Sequence, residues 1–161
     1  MTARILFVCL GNICRSPLAE GLFLHLAEES GRSGRYRADS AGTGDWHRGQ
    51  PPDARAISVA AKRGVRLPSL CRQVEKSDFE VFDLILAMDR NNHRDLTALC
   101  PPGLRGKIRL MREFDVPEHA GADVPDPYYG GPYEFDSVYL MLHRCCSALL
   151  EKLESGALQA A

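Results

Sequence analysis

No apolar run in the 161 residues is longer than the six from Ile5 to Leu10, far short of the ~18 that a membrane-spanning helix needs. Arg4 precedes that run and Gly11 and Asn12 end it, so a secretory leader with its roughly 7–15 apolar residues is not expected. An excess of one charge is missing too: the net charge is −1, which gives no reason to expect nucleic acid or a membrane surface as partner. No C-x-x-C or H-E-x-x-H spacing occurs and the five histidines are scattered, so no metal site is expected. Six cysteines without a leader are expected to stay reduced in the cytoplasm. Lysine is scarce, 4 residues against 16 arginines, a balance that suits bidentate phosphate recognition and equally reflects genomic composition.

With 45% hydrophobic residues, the chain is long enough for one substantial core and too short for two comfortable ones. A single domain over 1–154 is expected, followed by a frayed tail over 155–161. A strand is expected at Ile5 to Cys9, a helix over Pro17 to Glu29 stopped by Gly31 and Gly34, and a second strand over Tyr36 to Ser40. A Gly- and Pro-rich loop from Ala41 to Pro52 then leads to a helix over Asp53 to Arg63, ended by Gly64. Asp78 to Phe82 reads as a turn into a strand over Leu84 to Met88, and Asp89 and Arg90 precede a helix through Leu99. A fourth strand is expected near Lys107 to Met111, a long polar functional loop over Glu113 to Gly131, and a periodic final helix over Tyr133 to Glu154. Strands alternating with helices predict an α/β domain with a parallel sheet covered on both faces, and ligands in such sheets bind at the carboxyl ends of strands.

The first of those carboxyl ends carries Cys9-Leu10-Gly11-Asn12-Ile13-Cys14-Arg15-Ser16-Pro17. Five residues between Cys9 and Arg15 can wrap their N–H groups around a tetrahedral oxyanion while the following helix aims its positive end at the same point. The bare Cys-x5-Arg spacing would arise by chance about 0.6 times in this composition, so its context must carry the reading. An apolar strand leads in, Gly11 stands where a tight turn is wanted, Ser16 is a good N-cap, and Pro17 is a preferred first helical residue. A thiol of pKa about 8.5 falls to roughly 3.5–7.5 at a helix N-terminus near a cation, which suits Cys9 to attack phosphorus. Arg15 would bridge two phosphoryl oxygens through its planar fork, and Ser16 would hydrogen-bond the sulfur as it leaves. Breaking the ester also needs a proton donor. The candidate is Asp126, stiffened by Pro125 and Pro127 and flanked by Tyr128 and Tyr129, aromatics expected to desolvate its carboxyl.

These segments resemble the low molecular weight protein tyrosine phosphatases. The similarity runs from Val8 to Pro17 with Ala19-Glu20, through Asp39-Ser40-Ala41-Gly42-Thr43 and Met88-Asp89 with Asn92, to Asp126-Pro127-Tyr128-Tyr129. The resemblance implies a four-stranded parallel twisted sheet with helices on both faces and a phosphate-binding loop after the first strand. It implies no cofactor, and two-step hydrolysis of phosphotyrosine through a cysteinyl phosphate, with Cys9 as nucleophile, Arg15 as clamp and Asp126 as acid and then base. Leu10, Gly11, Asn12, Ile13, Cys14 and Ser16 would form the phosphate loop, Asn12 and Ser40 would support it, and Ile13, Trp46, Tyr128 and Tyr129 would line the substrate cleft. Cys14 matches a second loop cysteine that pairs reversibly with the nucleophile under peroxide. Implied partners are phosphotyrosine-containing proteins and a tyrosine kinase, with phosphate and other oxyanions as competitive inhibitors and the chain acting as a monomer.

Arg63 stands before Gly64 where vertebrate members commonly place a histidine, so the chain resembles the bacterial members, and support of the loop from that position is not expected. Three other activities use similar loops. A thioredoxin-coupled arsenate reductase needs two further cysteines a few residues apart, whereas Cys71 and Cys100 are 29 apart. Protein arginine phosphatases typically carry Thr where Ile13 stands and lack the tyrosine pair. A phosphocysteine carrier needs no separate acid.

Overall fold

The computed structural model describes residues 2–158. Its centre is β1 (Ala3–Cys9), whose residues alternate between two cores. Ile5, Phe7 and Cys9 face one core, and Leu6 and Val8 face the other. A strand buried on both faces reads as a continuous apolar run, and each fully buried large side chain contributes ~1.5–3 kcal/mol. Four strands form one parallel sheet in the order β2, β1, β3, β4, with β2 at Tyr36–Gly42, β3 at Leu84–Ala87 and β4 at Ile108–Leu110.

Helices α1 (Arg15–Glu29), α2 (Ala54–Ala61) and α5 (Pro132–Ser155) cover the Ile5–Phe7 face. The opposite face is covered by the one-turn α3 (Asp78–Val81) and by α4 (Arg90–Leu99), through Phe79 and Leu96. The four-stranded α/β architecture with helices on both faces is the expected one. Register brings the functional ends together: Cys9 pairs with Gly42, and Val8 pairs with Ala87. The loops after β1, β2 and β3 therefore leave the sheet at one edge.

Local expectations differ at four places. The turn expected at Asp78–Phe82 is the helix α3, because Asp78, Phe79, Glu80 and Val81 close i→i+3 and i→i+4 bonds onto the preceding turn. The segment 113–131 is not all loop, since short 3₁₀ turns occupy Met111–Phe114 and Pro117–His119. Ser16 is not an N-cap: α1 starts at Arg15 behind Cys14, no side chain caps it, and Pro17 is its third residue. Pro17 fits there without loss because the first-turn N–H groups have no acceptor within the helix. Of the tail expected over 155–161, Ser155 ends α5, Gly156 adopts φ 77°, and Leu158 N–H bonds to Lys152 O at 3.1 Å. The remainder, 159–161, lies outside the described residues. No helix among the described residues is long and apolar enough to cross a membrane.

Candidate active site

Five of the six carbonyls from Cys9 to Cys14 accept a hydrogen bond among the described residues, all but that of Gly11. The carbonyls of Cys9 and Leu10 accept from Thr43 and Gly44 N–H at 2.9 Å each, that of Ile13 from Asp53 N–H at 2.8 Å, and that of Cys14 from Leu18 N–H at 3.2 Å. The Asn12 carbonyl accepts from Cys71 Sγ at 2.8 Å. By contrast, no N–H from Leu10 to Arg15 donates to any group among the described residues. Carbonyls bonded outward and amides left free are the two halves of an anion nest. The missing cap on α1 belongs to the same design, since a capping side chain would fill the place of the anion.

The loop reaches this shape through one left-handed residue, and it is Asn12 (φ 58°) rather than Gly11. A non-glycine residue there costs ~1–3 kcal/mol and persists only where its surroundings over-determine it. Asn12 is so held: Nδ2 donates to Ser16 Oγ at 2.8 Å and to Ser40 Oγ at 2.9 Å, and Oδ1 accepts from Arg72 N–H at 2.9 Å. The loop also needs Gly42, where a Cβ would lie 2.8 Å from Leu10 O and 2.9 Å from Gly44 O.

Cys9 Sγ sits 3.0 Å from Ser16 Oγ. Arg15, buried, gives Nη1 to Asp89 Oδ2 at 2.7 Å and to Val124 O at 3.0 Å. Its Nε and Nη2 hydrogen-bond nothing among the described residues, and Asp126 Oδ2 lies 3.6 Å from Nη2. Burial disfavours the Arg15 charge, but Cys9, Asp89 and Asp126 outweigh burial and hold its pKa above the ordinary value. Asp89, unassigned from sequence, therefore does two jobs, since its other oxygen caps α4 through Asn92 N–H at 2.7 Å. Its position at the end of β3, on the sheet edge that carries Cys9, was the available signal.

Asp126 hangs from a pinned segment. Val124 N–H bonds to Met88 O at 2.8 Å, Arg90 N–H to Asp123 Oδ1 at 2.9 Å, and Arg112 Nη1 to Asp123 O at 2.9 Å. Arg112 is itself paired with Asp115, which also binds Arg144 of α5. The Asp126 side chain is 43% exposed, so the desolvation expected from flanking aromatics does not occur. Tyr128 and Tyr129 instead meet edge to face at 4.9 Å.

Cys9, Leu10, Gly11, Ile13, Cys14, Arg15, Trp46, Asp126, Tyr128 and Tyr129 all line one cavity of about 210 Å³, together with His47, which sequence reading missed. Asn12, Ser16 and Ser40 lie behind its floor. Burial first, then Asp53 and Cys9, push the Cys14 thiol up. Arg63 does not reach the loop: it donates to Val59 O and Asp136 and stacks on Tyr139 of α5. All six cysteines are buried free thiols.

Behind Ser40 lies a further residue quoted in the sequence motif without a role. Glu20, buried in α1, accepts from Ser40 Oγ at 2.6 Å and Ser69 Oγ at 2.5 Å. Burial raises its pKa from 4.5 to about 7, against the pull of those two hydrogen bonds; Asp39 adds to the rise and Arg72 opposes it. Because the folded state holds this proton more tightly than the unfolded chain, the stability it contributes is complete below pH 4.5. It is lost as pH rises through 7, by ~3 kcal/mol at most. Urea midpoints at pH 5 and pH 8 should therefore converge on, and then fall below, those of Glu20→Gln. A difference independent of pH would contradict the shift.

Fold and cradle together define a phosphate-binding α/β protein with a cysteine at its anion site. The chain matches the family described as low molecular weight phosphotyrosine protein phosphatase over residues 4–158, and it belongs to that family. It is 41% identical over 155 residues to the low molecular weight phosphotyrosine protein phosphatase of Sus scrofa, covering 95% of this chain and 97% of that protein. It is 44% identical to the low molecular weight protein-tyrosine-phosphatase of Streptomyces coelicolor, covering 93% of each. The crystal structure of an Entamoeba histolytica protein tyrosine phosphatase with Hepes in the active site superposes with a TM-score of 0.93 at 42% identity, covering 98% of this chain and 100% of that one.

Proposed function

We propose that the protein hydrolyses phosphotyrosine in proteins, and small aryl phosphates, in two steps. In the first, the Cys9 thiolate attacks phosphorus, the ester P–O bond breaks, and Asp126 gives its proton to the departing phenolate. In the second, Asp126 takes a proton from water, the water oxygen attacks phosphorus, and the S–P bond breaks to return the thiolate and phosphate. Arg15 holds two phosphoryl oxygens with the Nε and Nη2 edge left free by Asp89, and Ser16 donates to the leaving sulfur.

The observation that carries this reading is the row of free N–H groups from Leu10 to Arg15 around Cys9 Sγ. Such donors serve the charge that spreads over the phosphoryl oxygens in the transition state. Hepes in the Entamoeba active site is in keeping with sulfonate, phosphate and other oxyanions as competitive inhibitors here. Cys14 lines the same cavity as Cys9, which supports reading it as the thiol that captures an oxidised Cys9 as a disulfide. The six free thiols fit a reducing cytoplasm. One chain completes the cleft, which fits a monomer, and a tyrosine kinase is the class of enzyme that must supply its substrate.

Ile13, Trp46, Tyr128 and Tyr129 give the cleft its preference for an aromatic ring. Covering half of a ring's ~200 Å² contributes ~2.5 kcal/mol, roughly 50-fold or more in kcat/KM. Peptides carrying phosphotyrosine, phosphoserine or phosphoarginine at one position should therefore show phosphotyrosine leading by at least that factor. Equal rates on all three would refute the specificity, and a lead for phosphoarginine would move the protein to the arginine-directed reading.

A further inference from the structure

Asp126 sits on a stretch of chain with few ties of its own. No backbone group of Pro125 or Asp126 makes a hydrogen bond among the described residues, and the nearest hydrogen bond to another element downstream is Arg55 Nη1 on Gly130 O at 3.4 Å. Pro125 and Pro127 fix φ near −65° on either side of it, so the direction in which the chain leaves Val124 sets where the carboxyl stands. That direction is fixed by the planar peptide between Asp123 and Val124, which is gripped on both sides. Its N–H bonds to Met88 O at 2.8 Å, and its oxygen accepts from Arg112 Nη1 at 2.9 Å. A peptide with one such grip can turn about it; with two it cannot. The next oxygen, Val124 O, accepts from Arg15 Nη1 at 3.0 Å, so the same peptide also sets the acid relative to the phosphate clamp.

Arg112 is buried in the 3₁₀ turn Met111–Phe114 that follows β4, where a charge is costlier than an apolar side chain unless its donors are used. Its Nε bonds to Asp115 Oδ2 at 2.9 Å, and its own carbonyl accepts from Gly121 N–H at 3.0 Å. Asp115 does not depend on it, since the carboxyl also receives Arg144 Nε at 3.1 Å and Val116 N–H at 2.8 Å. Asp123 O is the acceptor that the Arg112 side chain serves alone. We propose that Arg112 is a positioning residue for the general acid: by holding Asp123 O it fixes the peptide from which Asp126 reaches the leaving oxygen. The proposal rests on the reading of Asp126 as that acid.

The test compares Arg112→Met, which keeps an unbranched stem and removes the fork, with Arg144→Met, which takes an equal charge from Asp115 but makes no hydrogen bond to the acid segment. The readout is kcat/KM on phosphotyrosine and on an aryl phosphate with a much more acidic phenol. A proton donor must stand within hydrogen-bond reach of the leaving oxygen, and a misplacement of ~1 Å can cost about 10²-fold. Arg112→Met should therefore lose about ten- to a hundredfold on phosphotyrosine and about threefold or less on the other substrate. Inhibition by inorganic phosphate should stay within about twofold, because Arg15 keeps Asp89 and the N–H nest is untouched. Arg144→Met should keep the native ratio between the two substrates. An equal loss on both substrates in folded Arg112→Met, no loss on either, or the same unequal loss in Arg144→Met would overturn the proposal. Should methionine prevent folding, Arg112→Lys keeps a charge beside Asp115 while ending short of Asp123 O, and it must show the unequal loss; an equal one overturns the proposal as well. Asp126→Asn judges the acid reading separately: an unequal loss there, absent from Arg112→Met, defeats the role of Arg112 and leaves that of Asp126 standing.

Discussion

Cys9→Ser should lose phosphotyrosine turnover by at least about 10⁴-fold while still binding phosphate. The only side chain within hydrogen-bond distance of Cys9 Sγ among the described residues is Ser16, and neither a histidine nor a carboxylate stands ready to accept a proton from an alcohol. A serine hydroxyl is a far weaker acid and a poorer nucleophile than a thiol, and no base stands here to take its proton. The free amides from Leu10 to Arg15 belong to the backbone and survive the substitution. Titration calorimetry of Cys9→Ser with a phosphotyrosine peptide should thus give a dissociation constant near the native KM, and the variant should hold substrates from a lysate. Residual turnover above about 1% would remove Cys9 from the role of nucleophile.

The parts of this site that were legible in the sequence are those encoded by contiguous residues. The apolar run into Cys9 could only be a buried strand, and its carboxyl end had to carry the loop. Asp126 stood out because two prolines isolate it, and it lines the cavity that holds Cys9. What could not be read is what depends on distant partners. Ser16 looked like a helix cap because Ser before Pro usually is one, yet its hydroxyl is drawn to Cys9 and Asn12. Gly11 looked like the turn residue, but Asn12 takes the left-handed conformation because Ser16, Ser40, Cys71 and Arg72 together saturate its polar groups. Asp89 and Glu20 stood in the motifs without a role, since their partners lie 74 and 49 residues away in Arg15 and Ser69. Hydrophobic period reports which face is buried; it carries no information about which polar groups meet beneath the loop.

Asp126→Asn separates the two chemical steps assigned to one carboxyl group. Asparagine keeps an oxygen for Tyr128 N–H, now at 3.1 Å, and the loop remains pinned at Asp123 and Val124 by Arg112, Arg90, Met88 and Arg15, so geometry should persist. What is lost is a transferable proton. For phosphotyrosine, whose phenol has a pKa of about 10, kcat/KM should fall by about 10²–10⁴. For an aryl phosphate with a much more acidic phenol, the leaving oxygen needs little help, so the loss in kcat/KM should shrink to roughly tenfold or less. Hydrolysis of the cysteinyl phosphate still lacks its base, so this substrate should release one equivalent of phenol in a burst followed by slow steady turnover. Rapid-quench kinetics on both substrates decide the matter. An equal loss of kcat/KM on the two, with no burst, would mean that Asp126 shapes the cleft without moving a proton.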